Sequence, residues 1–124
     1  MSTKEFYVLS AMHTCRHHRY ITLWAPDDCG YVFRTSRAGR YTEENVMAHL
    51  GYYNSGSNIA VPVELIDTLT VMTTPADQLD GADGPAVLNT QANWKLLTAN
   101  AIVKPQYEPD PEWFRMPHRL CRGI

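Results

Sequence analysis

Arg19 to Ala25 reads R-Y-I-T-L-W-A and runs into Pro26-Asp27-Asp28-Cys29-Gly30. Tyr20, Thr22 and Trp24 fall on one face of an extended chain, and Ile21 and Leu23 on the other. That period of two is the mark of a strand. Proline early and glycine late in the next five residues are what a reversing turn prefers. The stretches on either side, Phe6 to Thr14 and Tyr31 to Thr35, are rich in β-formers. Together the three predict an antiparallel meander.

Helical signals follow. Thr42 is a good N-cap, and Glu43 and Glu44 place acid where a helix dipole favours it. Val46, Met47, Leu50 and Tyr53 then form one apolar stripe, which Asn54-Ser55-Gly56-Ser57-Asn58 ends. Ile59 to Val63 is short and apolar, Glu64 to Leu69 suggests a helical turn, and Thr70 to Thr73 suggests another strand. Pro75 to Pro85 reads as a surface loop. Its aspartates lack the alternating spacing and the glutamate of a calcium loop. Asn89 or Thr90 caps a second helix through about Val103, with Trp94, Leu97 and Ala101 inward and Pro105 as its stop. Pro105, Pro109, Pro111 and Pro117 predict an extended tail, which Trp113 and Phe114 would dock on its own domain or on a neighbouring subunit. The expected fold is α+β: a small antiparallel sheet with two main helices in a single domain, residues 1–104, and a tail, 105–124.

The 124 residues fit one domain. No apolar run approaches membrane-spanning length. Phe6-Tyr7-Val8-Leu9 is too short for a signal-peptide core, and Glu5 is out of place beside one. Cys15, Cys29 and Cys121, odd in number and widely spaced, do not suggest a disulfide framework, so a reducing cytoplasm is expected. The net charge of −2 hides a division. His13 to Tyr41 sets five arginines against Asp27 and Asp28, whereas Thr42 to Glu112 sets two lysines against ten acids. A general DNA-binding protein would show a broader basic excess, and a DNA mimic far more acid. Opposed surfaces of this kind suit self-association.

Catalytic signatures are sparse. His13, Cys15 and His17 recur at every second residue and would share one face of a strand, with ligand types that zinc accepts. Paired cysteine knuckles are missing, and a packed cysteine among solvated histidines reads equally well. Cys15 or Cys29 could serve as a nucleophile, but no local signature supports either. Phosphate loops and serine elbows are absent in recognisable form. No catalytic residue and no cofactor is expected.

Gly30 to Asn58 holds three arginines and four tyrosines with glycine and serine. Guanidinium forks grip phosphate, rings stack on bases and amides read base edges. The expected ligand site therefore takes Arg34, Arg37 and Arg40 for phosphate, Trp24, Tyr41 and Tyr52 for stacking, and Asn54 for base-edge recognition. At a spacing of three the arginines cannot all share a face, and a turn at Ala38-Gly39 would bring Arg37 and Arg40 together. Thr42, Glu43 and Glu44 already serve the helix start, so those amides are poor anion donors.

The strings H-T-C-R-H-H-R-Y-I-T-L-W-A-P-D-D-C-G-Y, A-G-R-Y-T-E-E-N-V and Y-Y-N-S-G-S-N-I-A-V-P resemble a family of small, poorly characterised proteins encoded by tailed phages and prophages. The resemblance spans roughly Phe6 to Val103. It implies expression in the cytoplasm of an infected bacterium and carries no catalytic residues. By analogy with small phage accessory factors, it implies a non-enzymatic counter-defence protein. Such a protein would sequester a nucleotide-type signal, as a dimer with sites at its interface. Alternatively, it would inhibit a host defence protein through its acidic helical surface or the Trp113-Phe114 tail. Neither role involves membrane or general DNA binding.

Overall fold

The computed structural model describes residues 4–15, 17–79 and 81–109. β1 (Glu5–Ser10) is the spine of the main sheet. β5 (Asn58–Pro62) pairs with it antiparallel from Phe6↔Pro62 to Ser10↔Asn58 and so occupies one whole edge. The other edge is shared: β4 (Tyr41–Thr42) covers the start of β1, and β2 (Leu23–Trp24) covers its end at Leu9. β3 (Tyr31–Val32) pairs with β2 through Leu23↔Val32 and Trp24↔Tyr31. The predicted meander is therefore present as β1-β2-β3, with shorter strands than the alternation implied.

Alternation along β1 builds two cores. Tyr7, Leu9 and Ala11 join Ile21, Leu23, Ile59 and Val61 on one face, where Ile66, Trp94 and Leu97 seal them. These last come from α3 (Val63–Asp67) and α4 (Gln91–Ala99). Phe6 and Val8 join Tyr41 and Ala60 on the other face, closed by Val46 and Tyr53. These belong to α1 (Glu43–Ala48) and α2 (Leu50–Tyr53). The domain is α+β, with helices on both faces of a small antiparallel sheet. No helix among the described residues is long and apolar enough to cross a membrane.

Several expectations need correction. The single helix after Thr42 is two, because His49 leaves helical geometry at φ −135°. Thr42 does cap the first, accepting from Asn45 N–H at 3.1 Å. The Pro75–Pro85 loop contains a 3-10 turn at Pro75–Asp77, and Pro85 opens a strand. β6 (Thr70–Met72) and this strand, β7 (Pro85–Val87), form a separate two-stranded sheet. α4 ends at Ala99, after which Ile102 N–H bonds Ala60 O on the free edge of β5. Tyr107 donates its N–H to Ser55 O at 3.1 Å, which ties this point of the 105–109 segment to the domain. Gly56, at φ +126°, permits this: a Cβ there would collide with Tyr107. Trp113 and Phe114 lie outside the described residues.

Candidate functional site

β1 ends at Ser10, and the residues that follow form a bend and turn. His13, Cys15 and His17 therefore do not alternate on a strand. His13 Nδ1 lies 2.9 Å from Ser10 Oγ, and its Nε2 lies 3.1 Å from the Tyr31 hydroxyl. Cys15 is buried and disulfide-bonded, contrary to the expectation of reduced thiols, whereas Cys29 is free and exposed.

The seven expected ligand residues do not converge. Asn54 is buried, and its amide is used by the backbone: Nδ2 donates to Val103 O at 2.9 Å, and Oδ1 accepts from Ala60 N–H at 3.0 Å. It clamps Val103 to β5 and cannot read a base edge. Tyr41 is only 5% exposed. Its hydroxyl donates to Ala25 O at 2.6 Å and accepts from Asp28 N–H at 3.1 Å. Burial, foremost, raises its pKa far above the usual phenol value, so it stays protonated. Tyr41 holds the β2-β3 turn and offers no stacking surface. Arg40 turns to the α3 face, with Glu5 Oε1 at 3.4 Å and the Tyr7 ring centroid at 5.7 Å.

Arg34 and Arg37 do meet. The chain leaves β3 and makes a bridge from Arg34 to Ala86 of β7, then a 3-10 turn at Thr35–Arg37. Arg34 is 5% exposed and donates from Nη1 to Ala82 O at 2.6 Å, so it builds a wall. Arg37 is exposed, with its guanidinium packed on Gly81. Both line a groove of about 360 Å³ with Tyr31, Phe33, Gln78 and Leu79. Gln78 sits in left-handed geometry at φ 58°. The groove brings together two guanidinium groups, two rings and an amide. That set can hold an anionic group beside a flat aromatic one.

Trp24 and Tyr52 lie elsewhere, in a chain of ring contacts. Tyr31 contacts Trp24 at 4.5 Å, Trp24 contacts Tyr52 at 6.0 Å, and Tyr52 contacts Tyr53 at 5.0 Å. Asn58 fixes this surface. Its Oδ1 accepts from Trp24 Nε1 at 3.0 Å, and its Nδ2 donates to Tyr52 O at 2.9 Å. Tyr31 and Tyr52 are 43% and 45% exposed.

Sequence reasoning missed Tyr31, Phe33 and Gln78. The first two lie inside the arginine-tyrosine segment. Gln78 carried no signal, because its placement depends on the long-range approach of the 75–84 loop. Comparison with protein-family models, with curated proteins and with solved structures gives no match.

Proposed function

We propose that this chain is a non-enzymatic accessory protein that binds and sequesters an anionic, nucleotide-like signal in the Tyr31–Arg37 groove. The observation that carries this reading is the shared groove of Arg34 and Arg37 with Tyr31 and Phe33. Arg37 supplies the phosphate contact. Among the described residues the ion pairs are Arg19–Asp77 and Arg40–Glu5, and Arg37 belongs to neither. Arg34, held by Ala82 O, forms the wall beside it. The two rings take the base, and the Gln78 amide supplies polar contacts at its edge.

The volume lies within the range of small-ligand sites. Sequestration needs affinity and stoichiometry rather than turnover, so no acid, base or nucleophile is required. A homodimer that places two such grooves together would enclose more of the ligand, and it belongs to the proposal. So does the setting implied by the phage resemblance, an infected bacterium with its defence signalling active. Calorimetry against cyclic and ADP-ribose-type nucleotides tests the reading. Saturable binding lost in Arg37→Ala supports it, and no heat with any of the panel overturns it.

A further inference from the structure

The Trp24–Tyr52 surface and the turn beside it have features that the groove does not use. Tyr53 lies under Tyr52, and its hydroxyl donates to the Asp28 carboxylate, with oxygens at 3.2 and 3.1 Å. The Tyr41 hydroxyl lies 3.2 Å from Asp28 Oδ1. Asp28 is exposed, and it borders a cavity of about 390 Å³ with Asn45 and Tyr53. Arg40 reaches this cavity too, but its guanidinium is engaged by Glu5 and the Tyr7 ring. Asp28 belongs to neither ion pair among the described residues. A carboxylate has about four acceptor positions. Tyr41 gives its single proton to Ala25 O, so the Tyr53 hydroxyl is the donor here; it orients the carboxylate and uses only part of that capacity.

We propose that the Trp24–Tyr52 face and the Asp28 cavity form one docking surface for a protein partner that inserts an arginine beside apolar side chains. Charge complementarity selects the occupant. The surface ends in an anchored carboxylate that no cation pairs with among the described residues, and a guanidinium pairs with a carboxylate in bidentate geometry while tolerating aromatic neighbours. The exposed Tyr52 beside the half-buried Trp24 matches the anchor composition of protein interfaces. Asn58 holds Trp24 and Tyr52 before any partner arrives, which lowers the ordering cost of docking.

The probe is the peptide acetyl-Leu-Arg-Phe-Leu-amide, compared with the same peptide carrying uncharged citrulline for arginine. Both are titrated into the ¹⁵N-labelled full chain. The arginine peptide should shift the Asp28, Asn45, Tyr52 and Tyr53 amides and the Trp24 indole N–H saturably. The citrulline peptide should bind about tenfold more weakly, equivalent to about 1.4 kcal/mol. Asp28→Asn should remove that preference, and Tyr52→Ala should weaken both peptides. Equal affinity of the two peptides for the unmodified chain overturns the proposal, as does the absence of saturable shifts. If the same resonances move with protein concentration alone and sedimentation shows a dimer, the face belongs to a second copy and the proposal fails. The citrulline comparison needs no variant, so it stands even if Asp28→Asn unfolds.

Discussion

The Trp94 indole N–H donates to Asn89 Oδ1 at 2.7 Å, with both side chains buried. The Asn89 amide then donates to Cys15 O and His18 O, each at 3.0 Å. One side chain thus joins α4 to the 11–18 turn, and Trp94 is the largest fully buried residue of the core. Asn89→Ala leaves an indole N–H and two carbonyls without these partners. It should cost about 2–4 kcal/mol in urea unfolding. A loss under about 0.5 kcal/mol, the usual size of a neutral surface change, would show that water replaces the amide.

Asn54 separates a structural amide from a ligand-reading one. Its two bonds tie Val103 and Ala60 together. Asn54→Ala should lower the unfolding free energy by about 1–3 kcal/mol while the folded protein keeps its nucleotide affinity. Loss of affinity at unchanged stability would restore the base-edge role that its place in the sequence suggests.

The arginines should divide in the same way. Arg37→Ala should weaken nucleotide binding by about tenfold or more, with stability changed by less than about 0.5 kcal/mol. Arg40→Ala should leave binding intact, and its exposed pair with Glu5 is worth at most about 1 kcal/mol. Calorimetry on both variants checks this. Equal losses would mean that the ligand spans both faces of the 34–41 segment.

The legible parts of the fold were those set by local pattern. Alternation at Tyr20–Trp24, with β-former-rich stretches on either side, announced the meander, and the Thr42 cap was readable from its neighbours. Long-range contacts were not. Pro85-Ala86-Val87 is too short, and opens on proline, to announce a strand without β6 beside it. Arg34 and Arg37 look alike in sequence, yet the bridge to Ala86 buries one and leaves the other exposed. Composition pointed to the segment that holds Arg34 and Arg37 but could not tell Asn54 and Tyr41, bound to backbone, from Tyr31 and Phe33, which line a groove. That difference lies in where the 75–84 loop and the 101–109 segment return.

His13 should make stability depend on pH. Burial lowers its pKa from the ordinary value of 6.5, and its ring packs on Tyr31 at 4.2 Å between centroids. The unfolded chain binds a proton on His13 below about pH 6.5, and the folded chain does so only at lower pH. Stability from this residue is therefore complete above 6.5. It is lost as the pH falls from there through the folded pKa, and it levels below that. Urea midpoints of the unmodified protein and of His13→Gln, measured at about pH 7.5 and pH 5, isolate the effect from other titrating groups. The unmodified protein should lose more stability than the variant over this interval. Tyr31 should loosen in parallel, because its hydroxyl shares the His13 ring nitrogen, and its fluorescence quenching by Trp24 offers a second readout. Identical pH slopes in the two proteins would show that the fold does not resist protonation of His13.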